Sequence, residues 1–191
     1  MHSEYHNLNS GYIEVICGPM FCGKTEELIR RVKRAMISRQ NVIIFKPKID
    51  DRYHPDNVVS HSEVSVKAIA IGDIEEIYDH IKLHTVIAID EAQFFSEKIV
   101  DITSELANKG KRVIVAGLDK DSFGKPFGTM PSLMAIADFV TKLHSICVVC
   151  GRLASFTFRK THNKDVIMVG THDVYEARCR KCYSDGQYNI F

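Results

Sequence analysis

Residues 18–25 read Gly-Pro-Met-Phe-Cys-Gly-Lys-Thr and match the pattern G-x-x-x-x-G-K-[ST] at every fixed position. In this pattern glycines let backbone N–H groups turn towards phosphate oxygens, and the following helix points its positive end at them. Lys24 can reach the β- and γ-phosphates, and the Thr25 hydroxyl can bind magnesium. A glycine-rich turn with an exposed lysine is the alternative, but it leaves the position between a predicted strand and a predicted helix unexplained. The predicted phosphate and magnesium residues are Gly18, Pro19, Met20, Phe21, Cys22, Gly23, Lys24 and Thr25.

Two adjacent carboxylates, Asp90 and Glu91, follow the apolar run 85–89. P-loop enzymes commonly anchor magnesium with an aspartate at the end of a neighbouring buried strand, and Asp90 has that position. Glu91 would then lie beside the metal, where it could take a proton from an attacking hydroxyl. The alternative is a solvated loop start that caps the next helix. Together with the P-loop, the pair favours phosphoryl transfer with Glu91 as general base.

Four of the six cysteines form two Cys-x-x-Cys pairs. Four thiolates make a closed tetrahedral site with no position for water, so the predicted metal is a structural zinc ion. Burial as small hydrophobic residues is the alternative, and it explains neither pair. Cys17 is expected in the core and Cys22 in the P-loop. The predicted metal ligands are Cys147, Cys150, Cys179 and Cys182.

Strands and helices must alternate to position these motifs. The apolar run 12–17 predicts a buried strand that stops at Gly18, and residues 25–39 have the spacing of an amphipathic helix. Residues 47–60 and 119–131 lack periodicity and are predicted loops. Further strands are predicted at 42–45, 64–69, 85–89 and 112–116, and further helices at 73–82 and 97–108. This alternation predicts the α/β class, a mainly parallel sheet flanked by helices, which with the P-loop is interpreted as a P-loop (RecA-like) sheet. The cysteine pairs add a small C-terminal zinc-ribbon-like domain.

The pattern changes after about Leu143 to short strands and cysteine pairs. We therefore expect a P-loop α/β nucleotide-binding domain over residues 1–143. Residues 144–191 would form a zinc-binding domain that carries a substrate-covering loop. The length of 191 residues and the 45% hydrophobic content are sufficient for one main core with a small appended module.

A formal net charge of +1 offers no basic surface for nucleic acid. This argues against the main competing class, a P-loop ATPase whose zinc ribbon grips DNA or RNA. The polar N-terminus lacks the apolar stretch of a secretory signal, and no later run approaches the length of a membrane span. We therefore expect a cytoplasmic protein with no nucleic-acid partner and no membrane partner.

Taken together, these motifs resemble the type II thymidine kinases. The resemblance runs almost from end to end and rests on the P-loop, on residues 90–95 (Asp-Glu-Ala-Gln-Phe-Phe) and on the two cysteine pairs in this order. Residues 46–53, 113–119, 125–128 and 175–183 also match the family. The resemblance implies that ATP, bound with Mg²⁺, phosphorylates the 5′-hydroxyl of thymidine and that Glu91 is the general base. It also implies a structural Zn²⁺ ion, feedback binding of dTTP and a homotetramer.

The resemblance further implies the residues that bind each substrate. The ATP site would include the P-loop together with Asp50, Asp51, Arg52, Asp90, Glu91, Ala92 and Gln93. Thymidine would lie near Met20, Phe94, Leu118, Phe123, Phe127, Thr157 and Tyr175, and against the backbone of Val166, Ile167, Met168, Val169 and Gly170.

Two positions depart from the family pattern. Cys22 stands where the family usually has serine, and the backbone-based phosphate contacts should tolerate the change. Residues 118–124 read Leu-Asp-Lys-Asp-Ser-Phe-Gly, so the loop aromatic lies one residue later than in relatives. Either Phe123 takes the same role through a shifted loop, or that substrate contact is lost.

A kinase of the same fold that accepts deoxyuridine or deoxycytidine stays an alternative, because backbone groups would read most of the base.

Overall fold

The computed structural model describes residues 10–49, 57–59, 65–161 and 173–188. Its largest element is a parallel sheet of six strands in the order β5-β2-β6-β7-β1-β8. The strands of this sheet are β1 (Tyr12–Gly18), β2 (Val42–Pro47), β5 (Ile69–Ile71), β6 (Val86–Ile89), β7 (Arg112–Leu118) and β8 (Phe139–Lys142). The predicted parallel α/β sheet is therefore confirmed.

Helices cover both faces of the sheet. The apolar side of α1 packs on one face, and α2, α3 and a 3-10 helix pack on the other. None of the helices in the described ranges is long and apolar enough to cross a lipid bilayer. The helices are α1 (Lys24–Ile37), α2 (Lys98–Asn108), α3 (Met130–Ile136) and α4 (Arg180–Tyr188), with 3-10 helices at Ile74–Asp79 and Ala92–Phe94.

The predicted helix at 73–82 is present but shorter than predicted, as a six-residue 3-10 helix, Ile74–Asp79. Asp73 and Glu76 form a capping box at its start, and the buried residues of the helix, Ile74 and Ile77, are three apart. This spacing suits three residues per turn, and one short turn is enough to cover the end of the core.

Two further boundaries differ from the sequence-based expectation. The predicted strand at 64–69 is divided: β4 (Ser65–Lys67) leaves the main sheet, while β5 joins it beside β2. The predicted loop at 47–60 contains β3 (Asn57–Val59), which pairs antiparallel with β4. A three-residue strand is too short for its periodicity to be read, so only its pairing partner identifies it.

After β8 the chain forms a smaller module of short strands and one helix, called here the cysteine module (described residues 145–161 and 173–188). Antiparallel pairs join β9 (Ser145–Ile146) to β10 (Leu153–Ala154) and β11 (Phe156–Arg159) to β12 (Tyr175–Arg178). Three aromatic side chains, Phe156, Phe158 and Tyr183, form its own small buried cluster. Both cysteine pairs lie in this module, as predicted.

The carboxylate of Glu14, on β1, connects this strand to α1 and β7 through ion pairs. This buried carboxylate accepts from Arg31 of α1 at 2.5 Å and from Arg112 of β7 at 2.7 Å. Arg31 also binds Glu27 at 2.8 Å and the Thr141 hydroxyl of β8 at 2.8 Å. Because hydrogen bonds to partly buried charged groups are strong, this network should stabilise the packing of α1 on the sheet.

Replacing Glu14 by Gln should lower the free energy of unfolding by about 2 kcal/mol, because two partly buried arginines lose their shared counter-charge. Chemical denaturation measures this change. Glu105→Gln is the control, since Glu105 pairs with Lys109 and accepts from Tyr78 on an exposed surface, and its effect should be clearly smaller than that of Glu14→Gln. Equal losses in the two variants would contradict the role given to Glu14.

Candidate active site

The P-loop connects β1 to α1 through backbone conformations that favour glycine. Gly23, the residue before α1, has φ of 82°, in the left-handed region. At Gly18, with φ of 148°, a Cβ atom would lie 2.5 Å from the carbonyl oxygen of Leu143. Phe21 adopts φ of 63° without being glycine. The fixed glycines of the motif are therefore required by the shape of the loop.

The side chain of Lys24 lies across this loop. Its Nζ donates to the carbonyl oxygen of Pro19 at 2.8 Å, and the residue is buried. The backbone N–H of Met20 donates to the Thr157 hydroxyl at 3.0 Å. Burial raises the pKa of the Cys22 thiol, so this thiol stays protonated at neutral pH. The loop thus holds its lysine inward and is attached to the cysteine module through Met20.

Asp90 lies directly beside the P-loop. The carboxyl ends of β1 and β6 share one edge of the sheet, with β7 between them. At that edge the Thr25 hydroxyl donates to Asp90 Oδ2 at 3.1 Å. Hydroxyl and carboxylate oxygens are the ligands that Mg²⁺ prefers, so the predicted pair has the donor chemistry of a magnesium site.

Glu91 has an unusual backbone for a non-glycine residue. Its φ and ψ are 51° and 42°, in the left-handed region, a conformation that costs on the order of 1–3 kcal/mol and persists where the surroundings enforce it. Its N–H donates to Asp90 Oδ1 at 3.0 Å, and Gln93 Nε2 donates to its Oε2 at 2.5 Å. The carbonyl oxygen of Ala92 accepts from the Thr129 hydroxyl at 3.2 Å. The segment 90–93 is thus held by its own side chains and by the Thr129 hydroxyl.

Several side chains predicted to surround a nucleoside do lie together. The rings of Phe94 and Phe127 meet edge to face with centroids 5.8 Å apart. The N–H of Leu118, at the end of β7, donates to Gln93 Oε1 at 3.0 Å. Thr157 contacts the backbone of Met20. The pairs Phe94–Phe127 and Met20–Thr157 are therefore contacts among the residues predicted for the nucleoside.

Phe123 contacts the cysteine module through an arginine. Its ring is 43% exposed, and the Arg159 guanidinium lies 5.7 Å from the ring centroid. Arg159 also donates to the Tyr175 hydroxyl at 3.0 Å. Ser122, where relatives have the aromatic, is buried, and its carbonyl oxygen accepts from Tyr183. The loop thus turns position 122 inward and presents Phe123 on the side of Tyr175.

The loop that carries Phe123 is anchored at its start by Asp119. Lys142 and Lys120 reach Asp119 Oδ2 at 2.7 Å and 3.0 Å. Burial alone would raise the pKa of Asp119, but hydrogen bonds from these lysines outweigh burial and lower the pKa. Lys120 also donates to the Ser155 carbonyl oxygen at 3.1 Å. The start of the loop is therefore attached both to the sheet and to the cysteine module.

Two buried cations were not among the residues predicted for this site. Two groups of residues that were predicted lie outside the described residues. Lys46, at the carboxyl end of β2, is 2% exposed, and Arg159 is also buried. For Lys46 the available signal was a basic residue inside an otherwise apolar strand. Arg159 ends a strand that also contains Thr157, so the same signal was lacking. The predicted residues outside the described ranges are Asp50, Asp51, Arg52, Val166, Ile167, Met168, Val169 and Gly170.

The four paired cysteines converge on one point. Their Sγ atoms all lie within 4.8 Å of one another, and Cys150 Sγ and Cys179 Sγ are 3.7 Å apart. A tetrahedral zinc–thiolate site with bonds of about 2.3 Å has sulfur–sulfur separations of about 3.8 Å. Hydrogen bonds from Arg152 lower the pKa of Cys150 to about 6, which favours the thiolate form that binds metal. The donor set therefore fits a closed metal site.

Comparison with known proteins decides the family of this chain. The family model described as thymidine kinase matches residues 11–183. This chain belongs to the thymidine kinase family. A thymidine kinase from Rhodothermus sp. (strain ITI 518) is 50% identical over 178 residues, which cover 93% of this chain and 84% of the relative. The chain is therefore a kinase, and the predicted family resemblance is confirmed.

The cysteine cluster predicts about one metal ion per chain. Cys179→Ser should lower both the metal content and the melting temperature, because metal binding contributes directly to the folding of a small module. Elemental analysis and thermal unfolding measure the two effects. Cys22→Ser, outside the cluster, should retain the metal. A fully active, metal-free preparation would refute the prediction.

Proposed function

We propose that this chain transfers the γ-phosphoryl group of ATP to the 5′-hydroxyl of thymidine, giving dTMP. The observation that carries the proposal is the contact between Thr25 and Asp90, which joins the P-loop to the Asp90–Glu91 carboxylates within one site. Family membership supports thymidine as the acceptor, because the 50% identical relative is named a thymidine kinase.

ATP would bind with its phosphates in the P-loop. Lys24 would exchange its contact with Pro19 for the β- and γ-phosphates, since a phosphate oxygen is a stronger partner for an ammonium group than a carbonyl oxygen. Thr25 and Asp90 would hold Mg²⁺, which when bound neutralises charge on the phosphates. The ATP site would be completed by Asp50, Asp51 and Arg52.

Glu91 would act as the general base. The 5′-hydroxyl is a poor nucleophile while it keeps its proton, and a carboxylate beside the γ-phosphate can accept that proton as the new P–O bond forms. The left-handed backbone at Glu91 supports this role, because strained residues fixed by their surroundings are common in active sites. Phosphoryl transfer with a loose transition state depends chiefly on positioning, so the base would contribute part of the rate.

Thymidine would lie between the sheet edge and the cysteine module. The aromatic pair Phe94 and Phe127 supports this location, with Leu118 beside it and Met20 near the 5-methyl group. Tyr175 and the 166–170 backbone would cover the base. Phe123 would replace the family aromatic by packing on Arg159, which binds the Tyr175 hydroxyl.

The remaining family properties are proposals as well. The bound metal would be a structural Zn²⁺, held by the four clustered thiolates. Residues 1–143 and 144–191 would form the nucleotide-binding and zinc-binding domains. We also propose a cytoplasmic homotetramer with dTTP as feedback inhibitor.

Glu91→Gln should lower kcat by roughly 10²–10⁴-fold, because the amide keeps the size of the side chain but cannot accept the proton. The KM for ATP should barely change. Steady-state kinetics with thymidine and ATP measure both constants. Glu97→Gln, an exposed change before α2, is the control and should leave kcat unaltered. A kcat for Glu91→Gln within about threefold of wild type would show that Glu91 is not the base.

The proposed pocket predicts selectivity for deoxynucleosides. Thymidine and deoxyuridine should both be phosphorylated, and uridine should be a far weaker substrate, because the family resemblance implies a deep deoxynucleoside pocket that a 2′-hydroxyl would not fit. Measuring kcat/KM for each nucleoside, with deoxycytidine included, tests the proposal. Equal kcat/KM for thymidine and uridine would count decisively against it.

A further inference from the structure

Gln93 lies in the 3-10 helix after Glu91 and is 4% exposed. Its Oε1 accepts from the backbone N–H of Leu118 at 3.0 Å. A backbone N–H can only donate, so this contact fixes the amide oxygen of Gln93 towards β7. The amide NH₂ group must then face Glu91, where it donates to Oε2 at 2.5 Å. The orientation of the amide is therefore determined by the structure on both sides.

The residues packed around Gln93 leave little room for another conformation of its side chain. A Cβ atom at Gly117 would lie 2.7 Å from Gln93 Oε1, and one at Gly128 would lie 2.3 Å from the Gln93 carbonyl oxygen. Thr129 holds the preceding residue of the turn through the Ala92 carbonyl oxygen. Residues 117–118 and 128–129, distant from Gln93 in sequence, thus fit closely around it.

We infer that Gln93 is a positioning residue. Because its side chain binds both the Leu118 N–H of β7 and the Glu91 carboxylate, it holds that carboxylate in a fixed place relative to β7. This inference rests on the proposed function, in which Glu91 is the general base. A glutamate side chain has several rotatable bonds, and the Gln93 donor at Oε2 restrains the orientation of the carboxylate before substrates bind. This role differs from the ATP contact implied by the family resemblance, because both ends of the Gln93 side chain are used within the protein.

Gln93→Met tests the role, because methionine is of similar length and lacks both polar groups. We expect kcat to fall roughly 10–100-fold with the KM values for ATP and thymidine within about twofold, since orientation acts on the reaction step. In a Glu91→Gln background the same change should alter kcat by less than about twofold, because no base remains to be positioned. A further loss of about tenfold or more in that background would overturn the inference.

Gln93→Glu separates the two contacts of the amide and provides a second variant if Gln93→Met folds poorly. It retains an oxygen acceptor for Leu118 but replaces the donor to Glu91, so kcat should fall here too. Thr103→Val is the control: it removes the hydrogen bond from a buried threonine to the Val100 carbonyl oxygen within α2, outside the segment that carries Glu91 and Gln93. It should lower the melting temperature while kcat stays within about threefold of wild type. Unchanged kcat in Gln93→Glu would overturn the inference.

Crystal structures of the wild type and Gln93→Met give a result that does not depend on the nucleoside substrate. The Glu91 carboxylate should leave its wild-type position in the variant, and an unchanged position would overturn the inference. If the wild type fails to phosphorylate thymidine, the proposed function fails, while the crystal structures still decide the role of Gln93.

Discussion

The hydrogen bond between Thr25 and Asp90 joins the P-loop to a strand end 65 residues further along the chain. It requires β1 and β6 to be in register with β7, the strand between them, with Gly18 beside Leu118 and Ile89 beside Val115. Ile89 packs into the core on the face opposite α1, so Asp90, one residue later, lies on the face of α1. A slip of one residue would exchange the two side chains, because successive residues of a strand face opposite sides. The register of the sheet therefore creates the candidate magnesium site.

The cysteine module adds a second constraint on the P-loop, and it also constrains the loop that follows β7. Thr157 binds the N–H of Met20, Ser155 accepts from Lys120, and Tyr183 donates to the Ser122 carbonyl oxygen. These contacts connect the module to the P-loop and to the loop that follows β7. A module that is loosened by loss of its metal should therefore disturb the phosphate site as well as its own fold. Through this connection, a metal ion bound by the four cysteines would influence activity without contacting the substrates.

Local spacing predicted the elements whose buried face is long enough to repeat. The amphipathic spacing of α1 and the apolar runs of β1 and β7 appear in the structure within a few residues of the predicted bounds. The helix Ile74–Asp79 was predicted too long and without its 3-10 geometry, because its two buried isoleucines cannot distinguish a 3-10 turn from an α-helix. The strand Asn57–Val59 was missed, because only its partner β4 identifies it.

The sequence by itself determined which chemistry this chain can perform. The P-loop, the Asp90–Glu91 pair and the two cysteine pairs specify their chemistry through residue type and short spacing, which are local properties. The tertiary structure alone decided how these groups are oriented. Gln93 reaches Leu118, and Arg159 lies between the rings of Phe123 and Tyr175. Such contacts join residues distant in sequence, and their geometry follows from strand register and loop packing, which no short spacing in the chain encodes.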